Sequence, residues 1–397
     1  MNGSSGKARA TKDGRQDRTS ITSYTRATFT KALAVTLFLV GCASSNSSTV
    51  GDEWTDRQHF GFSPGAELRQ QDDARLAGDL AAMTTVGASW IRLDIDWSVV
   101  EAERGRYDWS ASDRLIDAAS AAGLDVLGML AYTPAWARPV GTDDKHPPID
   151  DEPFVDFARA AVARYGPLGV RAWEVWNEPN SALFWSTGPD PERYGRLLQA
   201  TAGAIRAGDR HAIIVSGGLA PGLDRPDDGW LSPETFLDEL IDAGALAEVD
   251  AVGIHPYSYP ARPLDPDSAP WNTFLRLPVL YERIAAAEAG PRCLWVTEYG
   301  APTGEHDRAV SEREQAAMLT ESLEAAGRWP WLGPILLYTL RDFREAPDDL
   351  EWNFGILRDD GTPKRAWDDL LARGAERPAP EASASFVQPF PCRAASP

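Results

Sequence analysis

Eight times along this chain a short apolar run is followed by an amphipathic one, and that alternation leaves few folds open. The apolar runs lie within residues 59–63, 89–95, 124–131, 171–180, 211–216, 249–255, 293–298 and 334–340. They read as strands. The segments after them, at 72–85, 108–123, 152–165, 191–207, 233–243, 271–289, 311–327 and 365–372, read as helices. In the first of these, Leu76, Leu80 and Met83 form one stripe at helical spacing. The third ends at Gly166-Pro167, a stop signal. Parallel strands covered outside by helices close naturally at eight. The expected fold is therefore α/β, a single (β/α)₈ barrel over residues 57–373. A doubly wound open sheet is the competing architecture, but no Gly-rich phosphate loop follows the first strand.

The ends of the chain carry a different signal. Residues 1–31 hold seven Lys/Arg against two Asp, and the apolar run ALAVTLFLV follows at 32–40. That run is too short to span a bilayer and matches the h-region of an export signal. It ends in LVGC at 39–42, followed by a Ser-rich stretch. This resembles a bacterial lipoprotein signal, which makes Cys42 the lipidated first residue of the mature protein. The alternative is an ordinary signal peptide and a secreted protein. The expectation is a signal over 1–41, a tether over 42–56 and a Pro/Ala/Ser-rich tail over 374–397. The protein would then be exported and held at a membrane by its lipid alone.

Composition narrows the partners. The net charge is −20, which argues against a nucleic-acid partner because phosphate contacts need a Lys/Arg surface. The three cysteines, Cys42, Cys293 and Cys392, are too scattered for a zinc cluster, and no metal or cofactor is expected. In an exported protein Cys293 and Cys392 could form a disulfide that pins the tail. Two free thiols are the other possibility.

An α/β barrel collects its chemistry at the C-terminal ends of its strands. There the sequence places Arg92, Asp94 and Asp96 on strand two, and Tyr132, Thr133 and Trp136 after strand three. Asn177 and Glu178 end strand four, His255 and Tyr257 follow strand six, and Glu298 ends strand seven. Tyr338 and Asp342 lie at strand eight. Glu174 and Glu178 are four residues apart, which puts both on one face of a strand. Glu174 is two pleats lower and reads as a core carboxylate paired with Arg92 or Arg171. Asp94 and Asp96 read as loop-binding residues. Trp173 and Trp176 read as packing, whereas Trp136 and Trp185 lie on mouth-side loops with the better claim to a sugar. Two carboxylates facing each other across such a bowl suit acetal hydrolysis, which needs one acid and one nucleophile or base. Nearby aromatic rings suit the apolar faces of a sugar.

These residues carry a family resemblance. WNEP at 176–179 together with VTEYG at 296–300 resembles the retaining glycoside hydrolases of clan A. Within that clan the chain is similar to single-barrel relatives of family 39, the β-xylosidase family. IRLDIDW (91–97), GRYDW (105–109), LAYTPAW (130–136) and FGILRDDG (354–361) also resemble segments of that group. The resemblance implies Glu178 as acid/base and Glu298 as nucleophile. It implies Asn177 as the contact to the sugar 2-hydroxyl and Arg92 as the partner that keeps the nucleophile ionised. His255 and Tyr257 would support the two carboxylates. A cation near Glu298 is expected to lower its pKa and enclosure to raise that of Glu178. Many clan members have a Trp at the end of strand eight as a floor for the sugar. Here Tyr338, Phe343 or Trp352 would supply it. The family's β-sandwich is not found in this sequence, which favours a more open bowl and endo action. The expected protein is a monomeric retaining β-glycosidase acting on a polysaccharide or oligosaccharide. A non-catalytic carbohydrate-binding surface lipoprotein on the same barrel is the alternative.

Overall fold

The computed structural model describes residues 60–291, 293–343 and 348–375. The expected signal, the tether, Cys42 and Cys392 lie outside the described residues, as does the tail beyond residue 375. Cys293 is disulfide-bonded.

The apolar runs form eight strands: β1 Phe60–Phe62, β2 Trp90–Asp96, β3 Asp125–Ala131, β4 Ala172–Asn177, β5 Ile213–Gly218, β6 Val252–Ile254, β7 Leu294–Tyr299 and β8 Leu332–Leu337. Their order is β5-β4-β3-β2-β1-β8-β7-β6, and the neighbours pair in parallel. The two ends of that order meet through the parallel bridges Val215–Ala251 and Leu219–Ile254. The sheet thus returns on itself as the expected barrel.

Helices cover its outside: α1 Asp73–Thr85, α2 Trp97–Val100, α3 Ser110–Ala121, α4 Glu152–Tyr165, α5 Pro191–Gly208, α6 Pro233–Asp242, α7 Leu277–Ala286, α8 Glu312–Ala326 and α9 Arg365–Ala375. Several begin where a side chain accepts a free backbone N–H of the first turn. Asp72, Asp190, Ser232 and Ser311 play that part for α1, α5, α6 and α8. Ser311 and Glu314 form a reciprocal capping box.

Three of the departures from expectation have a visible cause or bear on the site. The short helix α2 was not anticipated; Asp96 starts it by accepting from the Ser98 amide. α7 begins at Leu277 rather than 271, because its proline, Pro278, fits only the first turn. The stretch before it is held as a loop by Asn272, whose amide donates to the carbonyls of Arg262 and Pro263. β8 ends at Leu337, so Tyr338 lies just past the strand.

Strand residues divide between two apolar layers. Ile91, Leu93 and Ile95 face the helices and join the large outer core. Trp90, Leu127, Ala172, Val215, Ala251, Trp295 and Leu336 form a separate cluster that fills the barrel. Trp90 and Trp295 meet edge to face at 5.3 Å. Gly333 lets β8 approach that pair, since a Cβ there would lie 2.5 Å from the Trp295 ring. Above this floor the same inward face of β2 presents Arg92.

Trp90→Ala should empty part of the barrel floor. The expected loss is about 3–5 kcal/mol in urea unfolding, the usual cost of deleting a large buried ring.

Candidate active site

Arg92 is 3% exposed, and all five of its N–H groups point at acceptors. Nε donates to Glu174 Oε2 at 2.5 Å and Nη2 to Glu174 Oε1 at 3.2 Å. Nη2 also donates to Asn177 Oδ1 at 2.8 Å. Nη1 donates to Glu298 Oε1 at 2.5 Å and to Ser63 Oγ at 3.4 Å. Burial works against the charge. The carboxylates of Glu174 and Glu298 outweigh it and hold Arg92 above its ordinary value. Glu174 is therefore the buried partner of Arg92. Arg171 pairs instead with Asp209 at the outer surface.

The even spacing of Glu174 and Glu178 does not account for the end of β4. Asn177 and Glu178 are adjacent, yet both reach the bowl. A regular strand would send one of them outward. The chain avoids this by turning left-handed at Trp176 (φ 72°) and Glu178 (φ 44°). Such angles strain a residue with a side chain and persist only where the surroundings enforce them. Trp176 is fully buried, donates its indole N–H to the Phe184 carbonyl at 2.8 Å and packs edge-on against Trp185. The Glu178 amide donates to the Gly218 carbonyl at 3.0 Å. With Asn177 Oδ1 turned to Arg92, which can only donate, its Nδ2 has no hydrogen-bond partner among the described residues.

His255 follows β6 and is completely buried. Its Nδ1 lies 2.8 Å from Glu178 Oε1 and 3.6 Å from Glu298 Oε2. The Tyr257 hydroxyl donates to Glu298 Oε2 at 2.9 Å. The expected strand-six pair thus contacts both carboxylates. Oxygens of Glu178 and Glu298 lie within 4.8 Å of each other and of His255 Nδ1. These three side chains are, among the described residues, close enough to share a metal ion. Here they are hydrogen-bonded within the group.

Burial raises Glu178 to about 8. Arg92 opposes that rise, and the negative charges of Glu351 and Glu174 add to it. Burial lowers His255, which favours the neutral ring, against the pull of Glu298. Glu298 departs from expectation. Burial raises it above the ordinary carboxylate range, and His255 and Arg92 only moderate the rise. The adjacent cation does not outweigh the loss of water. β7 also shifts register between Val296 and Tyr299, so Thr297 and Glu298 both serve the interior. Thr297 donates to Glu174 Oε1 at 3.0 Å and lies 3.0 Å from His255 Nε2.

Tyr132, buried after β3, carries the Lys145 ammonium 3.6 Å from its ring centroid. Tyr338 borders Tyr257 and Phe354 and donates to Glu351 Oε1 at 2.6 Å. Trp352 is half-buried and meets Phe343 edge to face. Asp96 binds a loop as expected, through Arg69 and Ser98. Asp94 does not: it shares the inward face with Arg92 and has no hydrogen bond among the described residues. Trp185 is fully buried, contrary to its expected claim on a sugar. Trp136 packs edge-on against Trp97 and donates to the Glu101 carbonyl. Asp342 is an ion-pair partner, of Lys364 at 2.7 Å. Sequence reasoning missed Thr297 and Glu351. Thr297 could have been found by alternation along β7. Glu351 sits on a long loop whose path no pattern reveals.

Known proteins with related sequences share this frame. The family model described as β-galactosidase, glycoside hydrolase family 42, matches residues 68–153. That span contains Arg92 and Tyr132 and neither glutamate. A β-xylosidase of Geobacillus stearothermophilus is 33% identical over 118 residues, 28% of this chain and 22% of that protein. A monomeric β-xylosidase from Caulobacter crescentus CB15 superposes with a TM-score of 0.61 at 25% identity, covering 80% of this chain and 68% of its own. A family 39 glycoside hydrolase from Bacteroides cellulosilyticus WH2 gives 0.63 at 23% identity, covering 81% of this chain and 64% of its own. This chain resembles the clan A glycoside hydrolases, family 39 among them. It spans about a fifth of the Geobacillus enzyme and under two thirds of the Bacteroides one.

The raised Glu178 has a consequence for stability. A carboxyl that titrates near 8 when folded and near 4.5 when unfolded binds more proton in the native state across that window. Stability should fall as pH rises through it. Glu178→Gln should remove on the order of 3–5 kcal/mol of that fall, read by urea unfolding at pH 4.5 and pH 8.5.

Proposed function

We propose that this protein is a retaining β-glycosidase that cleaves its substrate by double displacement. The observation that carries the reading is the pair of enclosed carboxylates, Glu178 and Glu298, whose oxygens lie within 4.8 Å of each other. Retaining enzymes hold their two carboxyl groups roughly 5–5.5 Å apart, and inverting ones roughly 6.5–9.5 Å to admit a water.

The environments divide the roles. Glu298 sits in direct contact with the Arg92 guanidinium and the Tyr257 hydroxyl, both of which stabilise its anion. It attacks the anomeric carbon. Glu178 has no cation within hydrogen-bonding distance among the described residues; its neighbour there is His255, whose ring is neutral, and Glu178 holds a proton at neutral pH. It gives that proton to the leaving oxygen as the bond breaks. In the second half it takes a proton from water, which releases the sugar from Glu298. Asn177 Nδ2 donates to the hydroxyl next to the anomeric carbon. Tyr338, with Trp352 and Phe343 behind it, forms an aromatic floor.

The substrate we propose is a β-linked oligosaccharide or polysaccharide. The relatives named as β-xylosidases make xylosides the first probes. We also propose, from the sequence around Cys42, that the barrel is exported and lipid-anchored and, from the relative named as monomeric, that it acts as a monomer.

A 2-deoxy-2-fluoro-β-xylosyl fluoride, or the matching fluoro-sugar of the glycoside turned over, should leave a covalent label on Glu298 in peptide mass spectrometry. A label elsewhere, or none with an active enzyme, would overturn the mechanism. Glu298→Ala should lower kcat at least about 10³-fold. Glu178→Ala should spare substrates with good leaving groups in the first step and regain rate with azide.

The pH dependence of kcat/KM should be bell-shaped. Activity should fall above about pH 8, as Glu178 loses its proton. It should fall on the acid side as Glu298 gains one, above the ordinary carboxylate range.

A further inference from the structure

One buried chain of hydrogen bonds leaves the catalytic bowl and ends in the barrel interior. It runs from Glu178 through His255 and Thr297 to Glu174. The distances are 2.8 Å from Glu178 Oε1 to His255 Nδ1, 3.0 Å from His255 Nε2 to Thr297 Oγ1, and 3.0 Å from Thr297 Oγ1 to Glu174 Oε1. His255, Thr297 and Glu174 are each fully buried. No water is needed to complete the path, so the hydrogens can be counted.

The count starts at the far end. The Glu174 carboxylate is held by Arg92 through both oxygens and can only accept. Thr297 has one hydrogen. A bond to an ion-paired carboxylate is about twice as strong as one to a neutral ring, so Thr297 gives its hydrogen to Glu174. Its oxygen then accepts from His255, which places the ring hydrogen on Nε2. Nδ1 of a neutral ring is left with a lone pair facing Glu178. Only a protonated Glu178 satisfies it; an anion there would face a lone pair at hydrogen-bonding distance.

We infer that Thr297, anchored on Glu174, fixes His255 in its Nε2–H form and so holds the acid/base proton on Glu178. Thr297 is a positioning residue: it acts through His255 and does not touch the reacting atoms. The inference rests on reading Glu178 as the acid/base group. The backbone is shaped around the relay. A Cβ at Gly218 would lie 2.1 Å from His255 Nε2 and 2.5 Å from Thr297 Oγ1. The Gly218 amide donates to Glu174 Oε1 at 2.8 Å, and its carbonyl accepts from the Glu178 amide at 3.0 Å. One glycine thus touches every link. Burial also disfavours a second proton on His255, which agrees with the count.

Other charged groups act on Glu178 as well. Arg92 on β2 favours its anion; Glu174 on its own strand and Glu351 from the loop after β8 disfavour it. Glu298 on β7 and the Tyr257 hydroxyl complete its surroundings. Thr297→Val changes none of these charges. It keeps the side-chain shape and removes the hydroxyl. His255 is then free to move its hydrogen to Nδ1 and donate to an ionised Glu178. Thr297→Ser keeps the hydroxyl.

The test needs no glycoside. In protein with ¹⁵N-labelled histidine, the ring nitrogens of His255 report the tautomer, with His255→Asn identifying its signals among the five histidines. The wild type should show a pyrrole-like Nε2 and a pyridine-like Nδ1 at pH 6.5, and Thr297→Ser should match it. Thr297→Val should shift toward Nδ1–H. The infrared band of the protonated Glu178 carboxyl, identified by its loss in Glu178→Gln, should titrate about one pH unit or more lower in Thr297→Val. A wild type with the hydrogen on Nδ1 overturns the inference, whatever the variants do. So does a Thr297→Val protein with unchanged tautomer and titration. The fluoro-sugar experiment reads Glu298 independently, so failure of the relay and failure of the glycosidase reading give different results.

Discussion

The five donors of Arg92 are the contact on which the upper half of the barrel depends. They gather Ser63 beside β1, Glu174 and Asn177 on β4, and Glu298 on β7 around a strand-two side chain. A guanidinium is suited to this because its hydrogens lie in one plane at fixed angles; a lysine could not hold four partners in place. The arrangement is costly to assemble, since burying charges removes them from water. It is also costly to break, since removing one partner strands another; such losses run to about 3–5 kcal/mol. The apolar floor of Trp90 and Trp295 keeps this layer dry from below.

Above Arg92 the backbone departs from regular geometry in two places, and both serve the carboxylates. Left-handed turns at Trp176 and Glu178 bring neighbouring residues of β4 to one side. A register shift does the same for Thr297 and Glu298 on β7. Two inward groups per strand end are thereby packed where regular pleating would allow one. The strain at Trp176 is held by an indole locked among Tyr132, Phe154 and Trp185. Phe154, Trp176 and Trp185 are fully buried and therefore contribute to the site by fixing the backbone.

Two carboxylates of one chemical type are separated in role by what surrounds them. Glu298 has a guanidinium and a phenol to stabilise a charge. Glu178 has a neutral imidazole whose hydrogen is directed the other way, toward Thr297 and Glu174. Burial lifts both above the ordinary range, so the division of labour rests on hydrogen-bond partners rather than on one residue being wet and the other dry. Glu351, hydrogen-bonded to Tyr338, adds negative charge at the rim.

The sequence by itself determined the barrel, because eight alternations of strand and helix period admit few closed arrangements. It also placed Arg92, Asn177, Glu178, His255, Tyr257 and Glu298, since a barrel sends strand ends to one rim and these residues sit at strand ends. What it left open depends on contacts between residues far apart in the chain. Trp185 lies on a mouth-side loop by sequence and in the core by structure. Asp94 and Asp96 look alike in sequence, yet among the described residues only Asp96 finds hydrogen-bond partners. Alternation along β4 predicted one inward residue at its end, and the left-handed turns supplied two. Enclosure correctly marked Glu178 as the raised carboxyl, but Glu298 was read from a nearby cation, when burial was the larger effect. Tertiary structure alone decided these points: burial, backbone strain and the direction of a shared hydrogen are set by neighbours from other strands, which no local pattern of residues encodes.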